Sequence, residues 1–172
     1  MRIQTVLTVL AVIGLTACDY QTVGLGEDGA QREEPGIPDD ASATSFDVIY
    51  TAELSGVLDA RRTVIRDPEA WSSFWAEATS ILLPEPPVPA VDFDNEMVIV
   101  AASGERTTGG YTIAIDEVLE SDVDLFVVVK ESSPGADCVV TQALTAPVTA
   151  VRVARSDGSV SFEEVDEELS CG

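Results

Sequence analysis

The sequence predicts a mainly β (α+β) domain: a compact antiparallel sheet or sandwich of six to seven strands with one amphipathic helix. Three observations carry this. Several short stretches alternate apolar and polar residues as half-buried strands do, one stretch repeats its apolar residues at helical spacing, and turn-forming residues separate them.

Order is expected to begin at Phe46, where Phe46, Val48, Tyr50, Ala52 and Leu54 alternate with more polar neighbours and Gly56 offers a turn. A second strand is expected over residues 61–66. Asp67, Pro68 and Glu69 then supply an N-cap, a first-turn proline and a first-turn acid, so a helix should run over residues 68–79. Trp71, Phe74, Trp75 and Ala78 fall on one face of it, and both tryptophans should plug the core. Pro84, Pro86, Pro87 and Pro89 make a stiff connection to a continuous apolar run at 97–102, read as a central strand covered on both faces. Residues 111–118 and 125–129 follow as strands of a meander. Two more, at 148–154 and 160–165, bracket Asp157-Gly158, the usual signal for a two-residue hairpin.

The amino terminus has a separate purpose. Met1 and Arg2 precede about a dozen apolar residues, and Leu15, Thr16, Ala17 and Cys18 have the form of a bacterial lipobox. Residues 1–17 are therefore expected to be a lipoprotein signal peptide, with Cys18 becoming the lipidated first residue, held on a membrane by its acyl chains. The implied location is the bacterial cell envelope, on the periplasmic or outer face. Residues 18–45 are rich in Gly, Asp, Glu, Pro and Ser and read as an acidic disordered tether, whose flexible part would reach roughly 30 Å. The folded domain is assigned to residues 46–172.

After removal of the leader the chain has 31 acidic residues against 8 basic ones, a net charge of −23. Nucleic acid is excluded as a partner, because phosphate binding rests on Lys and Arg. Once Cys18 is committed to lipid, Cys138 and Cys171 remain as an even pair in an exported chain, and a disulfide is expected.

Catalytic options are few. The chain has no histidine, which removes Ser-His-Asp and Cys-His nucleophiles and histidine-based zinc sites together. Lys130 sits beside Glu131 and reads as a surface residue rather than a general base. Asp92, Asp94, Asn95 and Glu96 resemble a fragment of a calcium loop but lack the spacing of one and read as a polar turn. Paired carboxylates could serve a glycosidase, the least favoured function. No catalytic residue, metal ligand or cofactor is assigned.

The most pointed segment is Gly104, Glu105, Arg106, Thr107, Thr108, Gly109, Gly110 and Tyr111. It is no phosphate cradle, since no lysine and no helix follow. One reading is a tight turn with positive φ at Gly109 or Gly110. The other is a protruding contact loop, with Arg106, Thr107, Thr108, Gly109, Gly110 and Tyr111 meeting a partner.

Here the chain resembles a known family. Val91, Asp92 and Phe93, the apolar strand at 97–102 and the Gly-x-x-x-Thr-Gly-Gly-Tyr pattern ending at Tyr111 are similar to the PrcB family's C-terminal domain. The helix with Trp71, Phe74 and Trp75, the Ser133, Pro134, Gly135 stretch and the Thr145, Ala146, Pro147 stretch fit as well, so the resemblance covers residues 46–162. It departs at Thr107, where proline is common in the family. The family takes its name from a lipoprotein that helps assemble or stabilise a subtilisin-like surface protease complex. The resemblance therefore implies a non-catalytic domain that holds or stabilises an exported partner, a protease complex among the candidates. Thr107, Thr108 and Gly109 also resemble the Thr-Thr-Gly loop of chagasin-like inhibitors, which implies the alternative, protease inhibition through residues 107–111.

Overall fold

The computed structural model describes residues 36–172. In chain order its elements are β1 (Ser42–Ala43), β2 (Phe46–Ala52), β3 (Arg61–Ile65), α1 (Pro68–Ala78), β4 (Glu96–Ala102), β5 (Thr112–Ser121), β6 (Asp124–Pro134), β7 (Val148–Ala154) and β8 (Val160–Leu169). They form two four-stranded sheets, ordered β1-β5-β6-β8 and β2-β7-β4-β3. The fold is mainly β with one helix, as the alternation implied. Its strands number eight among the described residues.

The continuous apolar run in β4 is explained by burial on both faces. Val98, Val100 and Ala102 pack with Trp71, Phe74 and Trp75 of α1, whereas Met97, Ile99 and Ala101 pack with Ile113, Val127 and Val129 of the facing sheet. The result is three layers, helix on sheet on sheet, with β4 and β7 central in the middle layer. The Asp67 carboxylate caps α1 by accepting the Ala70 N–H at 2.8 Å, and Pro68 follows as the first helical residue. Trp71 and Trp75 are buried as expected. Their indole N–H groups donate to the carbonyls of Pro89 and Pro86, each at 2.9 Å. The proline segment thus gives both indoles the partner a buried N–H requires.

Four expectations are corrected. Strand pairing begins before Phe46: Ser42 and Ala43 lie opposite Glu120 and Leu119, and the Thr44 N–H bonds the Val118 carbonyl at 2.8 Å. The last two strands are not a hairpin, because β7 lies in the middle layer and β8 in the outer sheet. Nor is the outer sheet wholly antiparallel, since β8 runs parallel to β6 from Leu125↔Val160 to Pro134↔Leu169. The meander reduces to β5–β6, whose two-residue turn has Asp122 at φ 54°, a conformation that aspartate tolerates. The connection after β7 is instead fastened to the start of β6. The Ser156 hydroxyl donates to the Val123 carbonyl, the Ser159 N–H to Asp124 Oδ1, and Arg66 holds the Ser156 and Gly158 carbonyls.

The lipobox and Cys18 lie outside the described residues.

Candidate functional site

Residues 104–111 join β4 in the middle layer to β5 in the outer sheet, so the glycine-rich segment is a sheet-crossing loop. Gly104 has φ 74°, and a Cβ there would meet the Ala60 backbone nitrogen at 2.7 Å. Gly110 has φ 89°, with Val140 and Pro134 crowding the space a Cβ would take. Both positions favour glycine on backbone and steric grounds. The positive φ expected at Gly109 or Gly110 falls at Gly110, and Gly104 adds a second.

The loop does not protrude freely; it is stitched to residues 141–145. Arg106 and Thr145 exchange backbone hydrogen bonds at 2.8 and 3.0 Å, the Thr145 hydroxyl donates to the Thr108 carbonyl at 2.8 Å, and the Gly109 N–H donates to the Thr141 carbonyl at 2.9 Å. Glu105, Thr107 and Gly110 are exposed, while Gly109 is buried.

Arg106 is engaged within the chain. Its guanidinium pairs with Glu131 of β6 and lies 5.3 Å from the centroid of the Tyr111 ring. Glu131 also faces Arg62 of β3 at 3.8 Å, and Arg62 grips Glu164 of β8 with bonds of 2.6 and 2.8 Å while donating to the Ala102 carbonyl at 2.9 Å. This network ties the loop, β3, β6 and β8 together. It holds Arg106 and Tyr111 as a stacked pair at the base of the loop.

Sequence reasoning missed Arg62, Glu131 and Glu164, although strand parity marks them. Val64, Val129 and Phe162 point into the core between the sheets, and each charged residue lies two positions along its strand from one of these, on the same face. A charge continuing an inward stripe requires a partner there.

The expected disulfide forms between Cys138 and Cys171, with Cα atoms 5.0 Å apart. Around it Asp137 accepts the Cys171 N–H at 3.0 Å and the Ser170 hydroxyl at 3.1 Å, and the Gly135 N–H donates to the Leu169 carbonyl at 2.8 Å. The Cys171 N–H, followed by the Ser170 hydroxyl, holds the Asp137 carboxyl below its ordinary pKa. The same segment, a few residues on, supplies Thr141 and Thr145 to the glycine-rich loop.

The other candidates resolve simply. Asp92 accepts from the Asp94 N–H and the Asn95 side chain, while Glu96 accepts the Asp92 N–H, so the calcium-like fragment is a turn satisfied by its own groups. No group of three or more His, Cys, Asp or Glu residues is arranged to hold a metal among the described residues. A surface cavity of about 320 Å³ carries two carboxylates, Asp47 and Glu96, but Arg152 lies at 2.8 and 3.3 Å from them. First the Asp47 hydrogen bond and then the Glu96 charge raise the Arg152 pKa above its ordinary value. Lys130 pairs with Glu167 at 2.8 Å, which raises the pKa of the amine, the opposite of what a lysine base needs.

Layering and site together define a small helix-backed β-sandwich with a stitched crossover loop as its most distinctive feature. Residues 97–154 match the family model described as PrcB C-terminal, from β4 through the loop, β5, β6 and the 135–147 connection to the end of β7. The tryptophan helix and β8 lie outside the matched residues. No curated protein and no solved structure matches the chain.

Proposed function

We propose that this protein is a lipid-anchored, non-catalytic binding module of the bacterial cell envelope, which holds or stabilises an exported partner, with a protease complex as the leading candidate. The observation that carries the reading is the match of residues 97–154 to the PrcB C-terminal family model, together with the crossover loop those residues contain. That loop is fixed from both sides, by residues 141–145 and by Glu131, so its exposed tip at Thr107 is presented with little conformational freedom left to lose on binding. Cys18 supplies the anchor, and the acidic residues after it supply reach.

A photo-crosslinker at Thr107 in living cells tests this. An exported protein should be captured there, and it should turn over faster when the domain is deleted. Capture of nothing, or a partner whose half-life ignores the domain, overturns the reading. Protease inhibition is the second reading, favoured by Thr107 standing exposed beside the tethered Thr108. Titration against papain-like and subtilisin-like enzymes separates the two, since a holding module leaves their activity unchanged.

A further inference from the structure

The two sides of the sandwich differ. On one, the edge strands β3 and β8 are laced by Arg62 to Glu164 and Glu131. On the other, β1 covers β5 only at Leu119 and Glu120, with one further bond at Val118. The backbone edge of β5 over residues 112–117 pairs with no strand among the described residues. Beside it, at the end of β2, lies a cavity of about 270 Å³ lined by Thr51, Glu53, Tyr111, Thr112, Ile113 and Pro147.

An unpaired edge presents backbone donors and acceptors ready to accept a strand, and β1 already uses the far end of this one. Glu53 is the charged residue in the cavity lining, and the nearby Arg106 guanidinium, over the Tyr111 ring, is neutralised by Glu131. Every arginine and lysine among the described residues is hydrogen-bonded or ion-paired within the chain. Glu53 and Glu117, by contrast, are exposed and stand in no ion pair among the described residues. We propose that this opening is a strand-addition site for an extended, cationic segment of a partner protein, which pairs with the β5 edge and sets a lysine or arginine in the cavity beside Glu53. Backbone pairing supplies affinity, and the cavity with its carboxylate selects the side chain. A second copy of this chain fits poorly, because it would set acids against acids along the edge.

The inference rests on the binding-module reading and names the chemistry of the partner. Its test uses the full-length protein and three short peptides: alternating lysine and valine, alternating glutamate and valine, and the lysine peptide with alternate valines replaced by proline. Only the first should bind, and hydrogen exchange should slow at residues 112–117. Glu53→Lys with Glu117→Lys should weaken it about tenfold or more, whereas Glu163→Lys with Glu168→Lys on β8 should leave affinity unchanged. Protection at β3 or β8, insensitivity to the Glu53 and Glu117 reversals, or equal binding of the proline peptide would each overturn the proposal. If a partner crosslinks at Thr107 while the lysine peptide never protects β5, this inference fails and the binding-module reading stands. Protection of β5 without any exported partner supports the edge and removes the wider reading.

Discussion

Arg62 and Glu164 meet as a two-pronged pair across the sandwich, Nε to Oε1 at 2.8 Å and Nη2 to Oε2 at 2.6 Å, from edge strands of different sheets 102 residues apart. Their side chains are unequally covered, 19% exposed for Arg62 and 45% for Glu164. Arg62→Ala also strips a donor from the Ala102 carbonyl and a nearby positive charge from Glu131, so it should cost about 2 kcal/mol, against under about 1 kcal/mol for Glu164→Ala. Urea unfolding of both singles and the double mutant checks this, with the Glu164 effect shrinking in high salt.

The two tryptophans should separate packing from hydrogen bonding. Trp75→Phe keeps most of the buried ring but leaves the Pro86 carbonyl without its donor, a loss of about 1 kcal/mol. Trp71→Ala empties part of the core between α1 and the middle sheet and should cost about 4 kcal/mol in the same unfolding assay.

The disulfide should steady the candidate site from a distance. Cys138 and Cys171 are 33 residues apart in sequence, so the bond contributes about 4 kcal/mol in the chain-entropy model. Because residues 141–145 follow Cys138 and hold the loop, Cys138→Ser with Cys171→Ser should speed hydrogen exchange at Arg106 and Gly109 more than in β4. Equal acceleration in both places would mean the bond acts only on global stability.

Asp137 should make residues 169–172 pH-sensitive. Its folded pKa lies below the ordinary carboxylate value, so its contribution is fully present above that value and is lost as pH falls through the lowered folded one. NMR should therefore show residues 169–172 loosening only below about pH 4, the ordinary carboxylate range. Asp137→Asn should remove that pH dependence.

Gly110→Ala should destabilise by about 1 to 2 kcal/mol, because φ 89° is strained for any side chain and Val140 lies 2.9 Å from the new Cβ. Gly104→Ala should cost more, since the obstacle there is the backbone at Ala60 rather than a side chain that can turn away. Thermal unfolding of the two variants ranks them.

Much of the architecture was legible locally. The Asp67-Pro68 start, the helical stripe of Trp71, Phe74, Trp75 and Ala78, and the doubly buried run in β4 each state their environment within a few residues. The candidate loop was legible as glycine-rich but not as stitched, because Thr141 and Thr145 lie 30 and 34 residues beyond its end at Tyr111. The charged network was written in strand parity at Arg62, Glu131 and Glu164, yet parity names a face and no partner.

By itself, then, the sequence determined the fold class, the helix, the faces of the strands and the cysteine pair, because these follow from local periodicity and from counting. Tertiary structure alone decided that β8 leaves β7 to lie parallel to β6, that Arg106 is held by Glu131, and that the β5 edge over residues 112–117 pairs with no strand among the described residues. A two-residue period fixes which side of a strand is apolar but not which strand lies beside it. Asp157-Gly158 permits a hairpin but does not require one, and the bonds from Ser156, Ser159 and Arg66 fasten that connection to a different sheet.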